Sequence, residues 1–553
     1  MNYSLAFVGA GPTTIYCLHA LLKRDTLPAS ITIFEKQRRP GQGTPYSPNW
    51  SDPVMLANIA SVEIPALPQR LVEWLNEQSD AALATLEVSR DEIDERAFYP
   101  RLVLGEYLAE QFLRLVARGR ELGIEMNIRT RSTVADVRIK QDSIELEVKR
   151  PGQAPEISTV DYVILATGHQ WPPDPETRPG YFTSPWPASA LARIRNCAVG
   201  VRGTSLSAID ASVVVAAHHG EFLTGDDGAI SYLPNAGTDG FSITMFSRKG
   251  LLPEADFFHP IPYEPLTIFT PEAIDRLIEL CPPDRLLDET FELFRSELLQ
   301  SDPSYGVDLN LKDLSMEEFC AAYFATRADS DPFEWAANNL EEAIENSARQ
   351  YTVPWRYAIL RMHEVIALVV PHLTDADFAR FSRIFKPVFV DDYATVPHES
   401  IRRLLALRQK GKLRIERLDQ NARLDVRTPE TGAVFRRGRI EQRFPAFIEA
   451  TGQPLLSAKD FPFPSLRRQG VIQDIEVQGE APGKRGIAID EEFHPVSSLQ
   501  SSERLFCLSL PYLLGAHPFA QGITSSAEMG EVVAHAIEAA EKDRPVQPIV
   551  KCA

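Results

Sequence analysis

Cysteine is scarce in this chain and never clustered: Cys17, Cys197, Cys281, Cys320, Cys507 and Cys552 form no C-x-x-C pair and no metal-ligand spacing. Neither a redox-active dithiol nor a metal site is expected, and buried thiols fit a reducing compartment. Basic residues are also in deficit, with 57 Lys and Arg against 76 Asp and Glu and a net charge of −19. Binding to nucleic acid needs a concentrated basic excess, so no such partner is expected. Long apolar runs are missing too. None approaches the roughly 20 residues of a membrane-spanning helix, and no basic n-region or cleavage site precedes the first strand, so a cytoplasmic protein without a membrane partner is expected.

What is present points to nucleotides. Hydrophobic content of 44% and charged content of 24% are those of a globular protein, and 553 residues suit two or three domains. Leu5 to Gly9 is an apolar run too short for a helix and suits a buried parallel strand. The turn Gly9-Ala10-Gly11-Pro12-Thr13-Thr14 follows, then an apolar helix to Leu22. Gly9 lets the chain reverse, and Gly11 lets backbone approach a pyrophosphate at the helix N-terminus. Pro12 and Thr13 open that helix. Thr14 stands where the fingerprint has its third glycine. A second strand, Ile31 to Phe34, ends in Glu35, at the spacing expected for a ribose-binding carboxylate.

The loop from Pro40 to Ser47 brings Gly43 and Tyr46 as candidate contacts to a planar ligand, and the stretch Val54 to Leu67 adds Asn58; a plain surface turn is the alternative. Helical spacing runs from Arg96 to Val116, with Arg101 near its start as a candidate phosphate contact or a solvated helix end. Alternating stretches, Ser132 to Val137 and Ser143 to Val148, predict a β-meander. They lead to a strand ending in Ala166-Thr167-Gly168, where small residues leave room for a nucleotide at the carboxyl end of a sheet.

A second strand, turn and helix starts at Ala198, with Gly203 in the turn, Ser205 in place of the middle glycine and Ala208 at the close-packing position. The following strand, Ser242 to Phe246, ends in Ser247-Arg248-Lys249-Gly250, and Gly220 to Gly240 is expected to be an inserted loop. Positive charge at Arg248 and Lys249 favours NADPH over NADH; a solvated basic turn is the alternative. From about 260 to 386 only long amphipathic helical patterns appear, a plausible cap in which Arg356 and Arg361 are candidate ligands for a substrate carboxylate. Alternation resumes at Phe389 and reaches a second Ala450-Thr451-Gly452. Near the end, a loop with His517, Gln521 and Gly522 precedes a helix carrying Thr524, whose N-terminus suits a flavin or its phosphates.

These features give an α/β fold of two Rossmann-like dinucleotide-binding domains, for FAD and NAD(P), with a helical insert. The expected division is 1–190 and 457–553 for FAD, 191–260 and 387–456 for NAD(P), and 261–386 for the insert. The segments GAGPTT, GTPYS, MLANIASVEIP, FYPRLVLGEYL, ILATGH, GTSLSAID, FSRKGLLP, VPWRYAI and LGAHPFAQGITSS together resemble the FAD/NAD(P)-binding proteins of the YdhS type, which are similar in turn to flavin-dependent N-hydroxylating monooxygenases, the aspartate N-hydroxylases included. That resemblance implies FAD on Gly9, Gly11 and Glu35, NADPH on Gly203, Ser205 and Arg248, and the C-terminal loop near the isoalloxazine. It further implies an oxidoreductase that uses O2 to hydroxylate a small amine or amino acid through a C4a-hydroperoxyflavin, with His517 as a candidate orienting group. Two other readings stand beside it: an NAD(P)H-dependent reductase or dehydrogenase with another acceptor, and a non-catalytic nucleotide sensor. Replacing Arg248 with Ala should weaken NADPH far more than NADH in a binding titration; equal loss for both would refute the assigned role.

Overall fold

The computed structural model describes residues 3–225, 228–475, 486–520 and 522–544. Its strands, in chain order, are β1 (Ser4–Val8), β2 (Ser30–Phe34), β3 (Glu125–Arg129), β4 (Thr133–Ile139), β5 (Ile144–Lys149), β6 (Glu156–Val160), β7 (Tyr162–Leu165), β8 (Glu176–Arg178), β9 (Tyr181–Phe182) and β10 (Ala198–Arg202). There follow β11 (Gly220–Thr224), β12 (Ile230–Pro234), β13 (Ser242–Ser247), β14 (Leu413–Arg417), β15 (Ala422–Asp425), β16 (Ala433–Arg437), β17 (Ile440–Phe444), β18 (Ala446–Glu449) and β19 (Leu505–Cys507). One sheet is parallel throughout, in the order β19-β7-β1-β2-β3. The second runs β14-β13-β10-β18-β9-β8 and is parallel except for β8 at its edge. Leu5, Ala6 and Phe7 in β1 and Val199 and Val201 in β10 are fully buried, as central parallel strands covered on both faces must be.

The two sheets are wired alike. In the first, β1, the helix Pro12–Leu21, β2, the helix Arg101–Glu121 and β3 are followed by the antiparallel meander β4-β5-β6 and then β7. In the second, β10, the helix Leu206–His219, β13, the helix His398–Gln409 and β14 are followed by the meander β15-β16-β17 and then β18. The long insertion in each half falls between its second strand and second helix. In the second half this is the helical insert, whose helices include Pro271–Leu280, Leu286–Ser301, Met316–Ala328, Pro332–Arg349, Pro354–Val369 and Lys386–Tyr393. Side-chain oxygens of Thr270, Ser315 and Asp331 cap three of them, Ser315 reciprocally with Glu318.

The insert has its own core, in which Phe291, Phe294, Phe319, Phe385 and Phe389 are buried. Phe519, from the loop after β19, joins that core and meets Phe389 and Tyr393 at centroid distances of 6.0 and 5.7 Å. The chain then returns to the first sheet's layer as the helix Gly522–Asp543, which crosses the helix Pro12–Leu21 at Gly530. A Cβ on Gly530 would stand 2.9 Å from the Cys17 amide nitrogen, so only glycine permits this crossing.

Two local expectations are corrected. The helix expected from Arg96 starts at Arg101, because Pro100 disfavours helical backbone at the residue before it; Tyr99 instead pairs in extended form with Ala57. Gly220 to Gly240 is chiefly the antiparallel hairpin β11-β12, whose Tyr232 is buried and donates its hydroxyl to Ala216 O at 2.8 Å. Phe519→Ala should cost about 3–5 kcal/mol, read by chemical denaturation; a loss below about 1 kcal/mol would show that Phe519 does not anchor the loop to the insert.

Candidate functional site

Each nucleotide crossover is built by the same backbone contacts. Gly9 N donates to Phe34 O at 2.8 Å, and Ala166 N donates to Val8 O at 3.0 Å. Gly203 N likewise donates to Phe246 O at 2.8 Å, and Ala450 N to Arg202 O at 2.9 Å. Gly9 and Gly203 have φ of 107° and 121°, and a Cβ on either would strike a carbonyl of the neighbouring Ala-Thr-Gly strand end, Ala166 O at 2.2 Å and Ala450 O at 2.5 Å. Glycine is needed twice over at these two turns, for conformation and for space. Ala208 packs directly under Gly203, where an added Cβ would come within 3.1 Å of the alanine Cβ. Gly11 and Ser205 cap their helices without any side-chain hydrogen bond, leaving first-turn N–H groups available to an anion.

In the first crossover the Thr14 hydroxyl donates to Gly9 O at 2.7 Å, so the residue in the third-glycine position ties the turn to the helix. Glu35 is buried, accepts from Ala10 N at 3.0 Å and from Gln37 N at 2.7 Å, and so is held in place at the end of β2. Gly43 closes over the turn: a Cβ on Gly11 would lie 3.2 Å from Gly43 Cα, and one on Gly43 would lie 2.7 Å from Pro12 Cδ. Thr13 Oγ1 meets Ser526 Oγ of the C-terminal helix at 3.2 Å. Asn58 donates to Thr395 O at 2.8 Å, while its buried Oδ1 has no partner among the described residues. A turn free of side-chain bulk, a fixed carboxylate, an uncapped helix and an orphaned amide oxygen together fit a dinucleotide.

The carboxyl ends of the two sheets meet. Gln170, just past the first Ala-Thr-Gly, and Gln453, just past the second, exchange hydrogen bonds of 3.1 and 3.4 Å. Thr167 bonds Ser509 Oγ at 2.8 Å, and Gly168 has φ of 66° with open space where a Cβ would stand. Arg101 reaches across to Asp210 at 2.6 Å, also donates to Leu56 O, and lies over the Trp186 ring. Burial pushes the Asp210 carboxyl up and Arg101 pulls it back. The same guanidinium opposes the burial that lifts the Tyr46 hydroxyl to about 12, and it adds to the burial that lowers His169. Arg101 thus acts electrostatically on Tyr46, His169 and Asp210 together, beside the cleft between the two sheet ends. The pairing of Asp210 with Arg101, the place of His169 and the contact made by Gln453 were not anticipated from sequence; Gln170 contributes only its backbone N–H and C=O to that contact, so its side-chain identity carried no signal.

The remaining candidates have other surroundings. Arg248 is exposed at the end of β13, with no carboxylate partner among the described residues. Lys249 is exposed as a residue, but its Nζ lies 2.8 Å from the Phe324 ring centroid, and desolvation of the ammonium lowers its pKa to about 8. His517 stands 5.5 Å from the Phe493 ring, and burial lowers its pKa. Gly522 and Thr524 form the start of the C-terminal helix, whereas Gln521 lies outside the described residues. The two insert arginines have protein partners of their own. Arg356 pairs with Glu254 at 2.8 Å and Glu342 at 3.1 Å, and Arg361 donates to the carbonyls of Tyr357, Glu264 and Pro265 at 3.1–3.2 Å. That occupancy follows from packing of the insert against the segment after β13, which periodicity does not reveal.

A family model described as FAD-NAD(P)-binding matches residues 6–170, and one described as the YdhS-like middle domain matches residues 270–393, within the helical insert. The chain is 40% identical over 537 residues to the protein YdhS of Escherichia coli K12, covering 96% of this chain and 97% of that one. An ornithine N-hydroxylase of Kutzneria sp. 744 is similar in structure at a TM-score of 0.51 and 13% identity, covering 98% of this chain and 100% of that one. DfoA, the cadaverine monooxygenase of Erwinia amylovora, is similar at 0.52 and 12%, covering 100% and 97%. Likeness at such identity speaks for the fold.

Lys249 generates a test of the second crossover. Its ammonium is present below about pH 8 and lost above it, so NADPH affinity should fall several-fold as pH rises through that value, and Lys249→Arg should flatten the profile. Fluorescence titration of NADPH across the range checks this; a flat profile in the unaltered protein would remove Lys249 from the phosphate site.

Proposed function

The chain belongs to the YdhS family of FAD/NAD(P)-binding proteins, and on that premise we propose that it is an NADPH-using flavoprotein monooxygenase that N-hydroxylates a small amine or amino acid. The observation that carries this reading is the pair of equivalently built crossovers whose sheet ends meet across one cleft, joined by Gln170 with Gln453 and by Arg101 with Asp210. Gly9, Gly11, Gly43 and Glu35 would hold FAD, with the helix Pro12–Leu21 directed at its phosphates. Gly203 and Ser205 would hold the NADPH pyrophosphate, and Arg248 with Lys249 its 2′-phosphate. When bound, the flavin supplies electron transfer from the nicotinamide and activation of O2.

The residues of the chain position and exclude. Arg101 neutralises Asp210 on the helix expected to receive a pyrophosphate, removing a repulsion of like charge. Phe519 ties the loop bearing His517 beneath the insert, a covering that keeps water from a reactive intermediate. His517, largely neutral because burial lowers its pKa, can orient a polar group without adding charge. The reading as a disulfide reductase has little support: Cys17, Cys197, Cys281, Cys320 and Cys507 are free, and burial raises the Cys17 and Cys507 thiols. Among the described residues no helix is long and apolar enough to cross a membrane.

Purified protein loaded with FAD and supplied with NADPH should consume oxygen faster when its amine substrate is added, with the hydroxylamine as product. A panel of amino acids and diamines that produces no stimulation would sink N-hydroxylation. Rapid anaerobic NADPH oxidation with a quinone would then favour a reductase.

A further inference from the structure

A cavity of about 290 Å³ lies where three segments converge: the stretch Leu56 to Glu63 with Arg96, the segment Asp256 to Ile261 after β13, and the start of the helix His398–Gln409. Its lining carries charges of both signs. Three carboxylates line it, Glu63, Asp256 and Glu399, the last paired with Arg403, and His259 Nε2 is 3.6 Å from Glu63 Oε1, beyond hydrogen-bond distance. His259 is only 5% exposed, its Nδ1 is engaged with Phe257 O at 3.1 Å, and its Nε2 has no hydrogen-bond partner among the described residues. A buried ring nitrogen left open toward a cavity is an unmet polar group, and such groups are costly unless a ligand or water completes them. Asp256 accepts from Thr395 Oγ1 at 3.3 Å; burial and the Glu63 charge raise its pKa to about 7 against the opposing pull of His259, the Thr395 hydroxyl and Arg96.

Cations line the same cavity. Arg402 projects beside His398, and Arg96 lies over the Phe258 ring at 4.3 Å while donating to His259 O at 3.0 Å. Neither guanidinium has a carboxylate partner among the described residues, whereas the nearby Arg403 is paired with Glu399. Asn58, a candidate cofactor contact on the stretch that supplies Leu56 and Glu63, donates to Thr395 O, and the Thr395 hydroxyl donates to Asp256 of the cavity wall.

We propose that this cavity recognises a free zwitterionic amino acid, its ammonium group held by Asp256, Glu63 and His259 Nε2 and its carboxylate by Arg402 and Arg96. The identification of that amino acid as the hydroxylated substrate rests on the monooxygenase reading above. A ligand with only one of the two charges leaves either the acidic pair or the free guanidiniums unmatched, and unmatched charge in a partly desolvated pocket is penalised. The volume suits a molecule of amino-acid size. It also assigns the carboxylate contact to cations that are free, where Arg356 and Arg361 are occupied.

The test is calorimetric titration of the full-length FAD-loaded protein, without NADPH, using the standard amino acids and ornithine, followed by the decarboxylated and deaminated analogues of whichever binds. Saturable binding of an amino acid is expected, at least tenfold weaker for both analogues and at least tenfold weaker in Arg402→Gln and in Asp256→Asn, with the flavin absorption spectrum unchanged in both variants. Arg402 is partly exposed, so its variant reports even if Asp256→Asn fails to fold. No saturable binding by any amino acid overturns the proposal, as does binding that the Arg402 variant leaves intact. An amino acid that binds the unaltered protein, loses affinity in both variants and yet stimulates no oxygen uptake by the unaltered protein with NADPH supports the cavity and removes hydroxylation; substrate-stimulated uptake with an unchanged KM in the Arg402 variant removes the cavity and leaves hydroxylation standing.

Discussion

Two sheets can share one reaction site only if their carboxyl ends are held face to face, and here that constraint is met by short polar contacts between loops. Gln170 and Gln453 exchange hydrogen bonds directly across the junction, and Arg101 adds a charge-assisted bond to Asp210 from a helix of the other half. Amide pairs fix distance and orientation without placing net charge in the cleft. The ion pair is largely buried, so its main effect is to set geometry: either member alone would be a desolvated charge without a partner.

The same logic explains where glycine and threonine fall. Gly9 and Gly203 are pressed against carbonyls at the ends of β7 and β18, so each crossover is coupled sterically to the Ala-Thr-Gly turn beside it. Thr14 takes a position normally given to a third glycine, and its hydroxyl bonds back to the turn, compensating for the larger side chain. The insert and the C-terminal loop are coupled in turn through Phe519, which places a residue from the end of the chain inside a core formed by its middle. A nucleotide cleft, its covering and the returning helix are consequently one packed unit.

Much of this was legible along the chain. The short apolar strands, the G-x-G turn, the acidic residue after β2 and the paired Ala-Thr-Gly ends are local signals, each set by the steric needs of a backbone turn or a buried strand. The amphipathic period of the insert is local too. The start of the helix at Arg101 is set locally by Pro100, which the helical spacing around it obscured, whereas the hairpin β11-β12 depends on Tyr232, buried against the preceding helix sixteen residues away in the chain. The pairing of Arg356 with Glu254 and Glu342 was hidden for the same reason: charge is visible in a sequence, but its partner is not.

By itself, then, the sequence determined the α/β class, the doubled nucleotide-binding plan and the helical insert, because periodicity and turn chemistry depend on residues a few positions apart. Tertiary structure alone decided which charges are free and which are paired. It set Arg101 against Asp210, left Arg248 and Arg402 without carboxylates among the described residues, and brought Glu63, Asp256 and His259 around one cavity. Electrostatic partnership depends on distance through space and on burial, and neither can be read from spacing along the chain.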